Sequence, residues 1–588
     1  MGGQRRATSR MTSPPGNWNF ADVWDVVADT FPDRLAVAQG DRRLSWGELD
    51  LRATNVASSL REVGLKSGAK VAQYLYNCPE YIEVVYACFK ASLVPVNTNY
   101  RYSESELIYL WENCDAEAVV FHASFAQRVE TIKDKLQAVR LWLWVAEEGF
   151  ECPPWATPYE DATISGASSG LEHSRSGDDL LFIYTGGTTG MPKGVMWRQD
   201  DLFDVLNRTG GVRYPKDGTL DDVRATLQGP LRHPPGRLVP GPPLMHGTGL
   251  FTAMSVMACA GSILMPEGRH FDPVTLLDLI ATERVTEMSI VGDAFAKPIL
   301  AALNAEPGRW DISSLWLIVS SGVIWSAETK QGMLRHNPRL VLVDTLGSSE
   351  AIGIARSTST SSGVSGTAGF SLGADTVVIG DDGRFVEPGS GERGLVALRG
   401  RGPVGYYKDE TKTAATFRII DGERWSVPGD YATVAADGSL QLLGRGSVCI
   451  NSGGEKIFPE EVEQALVTHP GVADAVVVGV PDDRFGEMVV AVVEPAGPQA
   501  PALGDLAEWS RRTLAGYKAP RRLVVVDSVG RSPSGKVDYR RLRDLALESL
   551  GLAGRGERGL ATPAAAPSGG AASGAAPSGA APSGGAAS

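Results

Sequence analysis

From residue 18 to about residue 445, short apolar runs alternate with amphipathic stretches whose apolar positions recur every three or four residues. LAVAQG from Leu35, KVAQYLYN from Lys70, AEAVVF from Ala116 and LWLIVSSG from Leu315 have the length and apolar content of buried strands. Their alternation with helical patterns predicts an α/β fold built on a mostly parallel sheet covered by helices. After Arg445 the texture changes to a smaller unit. It holds the helix pattern PEEVEQALVTHP from Pro459, the strand ADAVVVGVP from Ala473 and LVVVDSV from Leu523, which together suggest a small α+β domain. The pattern divides the chain into a disordered extension at 1–17, a large domain at 18–446, a small domain at 447–545 and an Ala/Gly/Pro/Ser-rich tail at 546–588. Residues 559–588 carry no charge and repeat GAAPSG-like units. Such a composition buries too little apolar surface to order itself, so a flexible tail is expected.

One stretch tests this picture. GTGLFTAMSVMACAGSILMP, residues 247–266, runs for twenty residues without a charge, long enough to span a bilayer. It also holds three glycines, two threonines and two serines, ends in proline and lacks a basic flank. A buried helix of the large domain is the better reading.

Composition narrows the function. At 588 residues the chain exceeds one compact core. A net charge of −13 argues against a nucleic-acid binder, and an anionic substrate would need a local positive pocket. Cys78, Cys88, Cys114, Cys152, Cys259 and Cys449 show no metal-ligand spacing, which suits buried thiols in a reducing cytoplasm. Arg5-Arg6 is followed by polar residues and prolines, not by the apolar run of a secretory signal. Arg6 stands where myristoylation needs Ser or Thr, and Met11 is a second candidate start.

The chemistry concentrates in YTGGTTGMPKG, residues 184–194. LLFIY from Leu180 reads as a strand feeding this loop. Its glycines let backbone amides approach phosphate oxygens, and Thr185, Thr188 and Thr189 add hydroxyl donors. Walker A would put lysine directly after glycine, with a hydroxyl next. Here Lys193 follows Pro192 and precedes Gly194, so a P-loop phosphotransferase is disfavoured.

The motif resembles the phosphate loop of the adenylate-forming superfamily, which comprises acyl-CoA synthetases, peptide-synthetase adenylation domains and luciferases. PPLMHGTG (242–249), SSGVIW (320–325), LGSSE (346–350), GPVGYYKDETKTAATF from Gly402, PGDYA with Asp430, GRGSVCINSGGEKIFPEEVE from Gly444 and SPSGKVDYRR (532–541) follow in family order. The resemblance implies a large N-terminal adenylate-forming domain with mixed sheets covered by helices, and a small mobile C-terminal α+β domain. It implies ATP, Mg2+ and coenzyme A as co-substrates and cofactor.

By resemblance, Lys536 bridges carboxylate and α-phosphate, Glu350 holds the metal and Thr188 assists it. Nucleotide contacts fall to Thr185, Gly186, Gly187, Thr188, Thr189, Gly190, Met191, Pro192, Lys193, Gly322, Ser348, Ser349, Asp430, Arg445 and Lys536. Asp430, in the loop PGDYA, would accept from the ribose hydroxyls, with Arg445 opposite. His246 and Val323 would border the acyl pocket, and Gly453, Gly454, Glu455 and Lys456 the CoA passage. Gly446-Ser447 supplies the hinge, although Ser447 and Val448 replace the usual charged pair. Leu346 stands where many members carry an aromatic ring against adenine.

For the acid, Asp293 could pair with a substrate amine, as in amino-acid adenylation domains. The uncharged stretch 247–266 and SSGVIW instead favour a large apolar acid, and no carrier or condensation segment follows Arg541. GGTTGMPKGVMW with GRGSVCINSGGEKIFPEEVE is similar to bacterial ligases of steroid side-chain acids and long fatty acids. That implies a 3-oxocholest-4-en-26-oate-like or long-chain fatty acid, made into its CoA thioester through acyl-AMP. A fatty-acid-only or aryl-acid ligase, adenylation without CoA transfer and an oxygenase remain the alternatives. A non-catalytic binding protein would be expected to lose Lys536 or Glu350, and both are present. Partners are then the acid, ATP and CoA in the cytoplasm, without nucleic acid or a transmembrane segment. Membrane-surface contact and homo-oligomerisation stay open.

Overall fold

The apolar runs pair in two large sheets rather than one. A computed structural model describes residues 17–164, 171, 175–187, 190–209, 213–230, 234–323, 325–366, 369–452, 455–482, 485–532 and 535–552. The expected extension lies almost wholly outside them, as does most of the expected tail, but residues 546–549 complete the helix Tyr539–Ser549 with Ala546 and Leu547 buried, so the small domain runs past residue 545.

The first sheet has fifteen strands. Its parallel half runs Leu35–Gln39, Ser262–Met265, Arg237–Pro240, Glu287–Ile290, Leu317–Ser321 and Val341–Ser348. Beyond it the order reverses. Ala351–Ser359, Gly369–Leu372, Ser439–Arg445, Asp430–Val434 and Arg393–Arg399 pair antiparallel. The expected strand–helix alternation therefore stops near residue 350. The strands that follow are joined by turns, with Gly383, Gly422 and Gly438 at positive φ, and need no crossover helix.

The second sheet has eight strands. Its parallel centre is Val94–Asn97, Lys70–Tyr74, Ala116–His122 and Leu141–Val145, and the hairpin Leu180–Gly187/Gly190–Arg198 flanks it. A third sheet of five strands begins at Ile450 and forms the small C-terminal domain, with Val472–Asp482 and Gly486–Pro495 as its long central pair. Apolar clusters cover both faces of that pair.

The helix Pro79–Lys90 is buried along its whole length. A helix apolar on most sides belongs in a core. Its charges are tolerated because each is paired: Glu80 with Arg42, Glu83 with Arg52 at 3.0 Å, and Lys90 with Asp25 and Asp50 at 2.6 and 2.7 Å. Trp24, Trp46, Trp197 and Phe89 fill the surrounding cluster.

The uncharged stretch 247–266 resolves into two buried elements. The helix Gly247–Ala258 ends at Cys259, Ala260 turns with φ of 58°, and Ser262–Met265 enters the parallel sheet between Leu35–Gln39 and Arg237–Pro240. Burial of both elements against the sheet, not a bilayer, accounts for the missing charges. Among the described residues no helix is long and apolar enough to cross a membrane. None of the six cysteines forms a disulfide there.

Candidate active site

In the parallel half of the first sheet, the carboxyl ends of neighbouring strands open on one side, where α/β sheets bind ligands. Arg237–Pro240 leads to His246, Glu287–Ile290 to Val291, Leu317–Ser321 to Gly322 and Val323, and Val341–Ser348 to Ser349 and Glu350. A cavity of about 2390 Å³ collects these ends. Thr185, Met191 and Lys193 of the hairpin, Asp430, and Gly535 and Lys536 of the C-terminal domain also line it.

The phosphate-type motif is a hairpin tip, not a loop after a strand. All of it except Thr188 and Thr189, which lie outside the described residues, belongs to the two strands. Thr185 faces Lys193 and Gly187 faces Gly190 across the pair. Gly187 and Gly190 thus pair across the sheet, Gly186 falls at a break in the register between Thr185 and Gly187, and Pro192 occupies a strand adjoining Lys193. Lys193 Nζ lies 2.6 Å from Asp409 Oδ2 and 5.9 Å from the centre of the Tyr406 ring. The Lys193 hydrogen bond holds the Asp409 carboxyl below the usual carboxylate range.

Tyr406 ties this hairpin to the carboxylate expected to hold metal. Its backbone pairs with Val195, and its hydroxyl donates to Glu350 Oε1 at 2.8 Å. The Glu350 amide donates to Ser348 Oγ at 3.2 Å, and Trp197 Nε1 donates to the Ser349 carbonyl at 2.9 Å. Asp409 and Tyr406 are site residues to which the motif GPVGYYKDE gave no individual role. Among the described residues no group of three or more His, Cys, Asp or Glu could hold a metal by itself.

Asp430 is not in a loop. It opens the strand Asp430–Val434 and is buried, and its cross-strand partner is Arg445, the last residue of Ser439–Arg445. The pair stands at a strand end, which explains why PGD reads as a turn in sequence. Gly446 then begins a short helical turn, Gly446–Val448, between the first and third sheets. Gly453 and Gly454 lie outside the described residues, and Glu455 and Lys456 open the strand Glu455–Ile457.

Lys536 ends a tight turn in which the Gly535 amide donates to the Ser532 carbonyl at 2.8 Å and the Lys536 amide to Ser532 Oγ at 3.0 Å. Gly535 has φ of 71°, and a Cβ there would fall 2.7 Å from Val323 Cγ2 and 3.0 Å from Val291 Cγ1. The turn therefore rests directly on the strand ends of the large domain. His246 caps the helix Gly247–Ala258. Burial, reinforced by the Lys536 and Arg101 cations, pushes its imidazole down to about 3, so it is neutral near pH 7.

Leu346 lines the cavity and packs on the cluster of Ala351 and Ile354. Asp293 begins the helix Asp293–Ala305. Its Oδ1 accepts from the Ser326 amide at 3.1 Å and its Oδ2 lies 3.7 Å from Lys297 Nζ. The carboxylate thus braces the start of its helix while it also lines the cavity.

The AMP-binding enzyme family matches residues 24–407, and the AMP-binding enzyme C-terminal domain matches residues 461–536. A medium/long-chain-fatty-acid–CoA/3-oxocholest-4-en-26-oate–CoA ligase from Mycolicibacterium smegmatis is 42% identical, covering 90% of this chain and 97% of its own. A 3-oxocholest-4-en-26-oate–CoA ligase from Rhodococcus rhodochrous is 40% identical over 90% and 95%. The crystal structure of an anthranilate CoA ligase in complex with anthranoyl-AMP covers 92% of this chain and 99% of that chain. It has a TM-score of 0.76 at 21% identity, a likeness of fold. With its strand-end cavity, its hairpin and a family match across both domains, the chain belongs to the AMP-binding enzyme family, in its CoA-ligase branch.

Proposed function

We propose that this chain joins a large apolar carboxylic acid to coenzyme A in two steps. In the first, a carboxylate oxygen attacks the α-phosphorus of ATP, forming acyl-AMP and releasing pyrophosphate. In the second, the CoA thiol attacks the acyl carbon and AMP leaves. The observation that carries this reading is the convergence of Thr185, Lys193, Glu350, His246, Asp430 and Lys536 on one cavity.

The first step brings two anions together, so a cation must follow the charge that develops between them. Lys536 has this role, delivered by the turn that rests on Val323. A neutral His246 beside the acyl path adds no competing charge. Thr185, Gly186, Gly187, Gly190, Met191, Pro192 and Lys193, with Thr188 and Thr189 from outside the described residues, would contact the β and γ phosphates. Lys193 is held ready by Asp409. A single carboxylate suits Mg2+, which commonly takes one or two carboxylates and completes its shell with phosphate oxygens and water. Glu350, with Thr188, would hold that ion, which when bound offsets phosphate charge. Asp430 and Arg445 take the ribose, and Gly322, Ser348, Ser349 and Leu346 the adenine. A swing about Gly446-Ser447 then brings residues 453–456 to the CoA passage.

Phe251, Val256, Val291, Ala294 and Val319 give the cavity apolar walls. With the relatives' activities, they support long-chain fatty acids and a 3-oxocholest-4-en-26-oate-like acid as substrates. The cytoplasm supplies ATP and CoA and keeps the six thiols reduced. The test is ATP-dependent AMP release, with and without CoA, across fatty, steroid, aryl and amino acids. Thioester and AMP are expected with the fatty and steroid acids. Turnover confined to amino acids, or AMP release that ignores CoA, would overturn the reading.

A further inference from the structure

The cavity continues past the strand ends to a carboxyl group with no role in the chemistry above. Thr252, Ser255, Val256 and Cys259, from the helix Gly247–Ala258 and its cap, line it together with Leu317, Val319 and Glu287 from the strands. Glu287 is the first residue of Glu287–Ile290, and Val291, four residues on, lies under the turn that carries Lys536. At the usual strand rise this sets Glu287 ~13 Å deeper than Val291. Alternation turns its side chain away from Met288 and Ile290, which pack in the opposite cluster with Ile318 and Leu342.

Two observations mark the group as open to a ligand. Among the described residues the Glu287 side chain makes no hydrogen bond and no ion pair, while its backbone pairs with Leu238 and Leu317 in the sheet. It is only half-buried, yet it is among the residues lining the cavity. The neighbouring strand leaves it room, since a Cβ at Gly236 would stand 2.6 Å from Glu287 Oε1. An unpaired carboxylate in such a place is costly, and burial pushes the group up to about 7. The neutral acid is then well populated, and its O–H can donate.

We infer that Glu287 is a specificity-determining residue, donating a hydrogen bond to a neutral ketone or hydroxyl oxygen at the end of the acyl group remote from the reacting carboxylate. The inference rests on the proposed ligase activity and adds the residue that tells a large apolar acid oxygenated at its far end from one that is not.

The test compares kcat and KM of the full-length enzyme for 3-oxocholest-4-en-26-oate, its counterpart lacking the 3-oxo group, and hexadecanoate. The wild type is expected to favour the oxo acid over its counterpart by about 10- to 100-fold in kcat/KM, the scale of one hydrogen bond made or left unmade. Glu287→Leu should erase that preference through KM, leaving kcat and the hexadecanoate values unchanged. Glu287→Gln, which fills the same space and still donates, should retain most of it. A preference that survives in Glu287→Leu, or one absent from the wild type, overturns the inference while the ligase reading stands. Failure of all three acids in the wild type would sink the ligase reading and the inference with it.

Discussion

Lys536 asks a compact, strongly hydrated cation on a flexible stem to meet two anions at once, so its value lies in where the turn holds it. Lys536→Ala should slow pyrophosphate release by about 10²–10³-fold, the scale for one pre-organised donor. Thioester formation from preformed acyl-AMP should stay largely intact, and near-normal pyrophosphate release would remove the residue from the first step. Tyr406 acts one shell further out, through its hydroxyl on Glu350 Oε1. Tyr406→Phe should raise the Mg2+ concentration needed for half-maximal rate by about 10-fold, as for other partners that orient a metal-binding group. An unchanged Mg2+ dependence would mean that Glu350 keeps its orientation without help. Neither Tyr406 nor Asp409 was legible in the sequence as an individual contact. Lys193 and Asp409 are 216 residues apart, and only the folded sheet makes them neighbours.

Contiguous motifs survive translation into elements better than contacts do. The glycine-rich phosphate motif, the terminal lysine turn and the helix after Phe458 could be found because their residue types recur at fixed local spacing, although the motif's second strand could not. The antiparallel strands between residues 351 and 445 could not, since short strands between glycine turns look like loop. Asp430 reads as a loop residue for the same reason, although it opens a strand. The helix Pro79–Lys90 was hidden differently, by charged residues whose partners come from other elements. Lys90→Met would leave Asp25 and Asp50 without their shared cation, and a loss of about 3–5 kcal/mol is expected, read as a lowered Tm. Burial alone would raise Asp25, but Lys90 and Arg175 hold it well below the usual carboxylate range. Its folded form therefore contributes stability at all pH values above the unfolded carboxylate value of about 3.9. That contribution declines only as acid takes the pH below it, and the Lys90→Met chain should show less of this acid dependence.

The two domains meet where Gly535 touches Val323, and this contact allows the large motion to be tested directly. A Cβ at residue 535 would lie 3.5 Å from Val323 Cβ, within the range that a disulfide spans. The double substitution Val323→Cys and Gly535→Cys, oxidised, should fix the C-terminal domain in its docked arrangement. Acyl-AMP should then form with little thioester, and a reductant should restore thioester synthesis. Equal thioester yields before and after reduction would mean that no swing about Gly446-Ser447 is needed.

The parallel edge of Leu35–Gln39 is completed only by Ser262–Met265, with Val37 opposite Ile263. At ~5–20 residues per second, the ribosome needs roughly 10–45 s to make the stretch between them. Throughout that interval the nascent chain carries an open strand edge and an uncovered apolar face. The parallel edge of that strand therefore cannot close before residue 265 has been made, and the rest of the sheet waits for strands that reach Arg445.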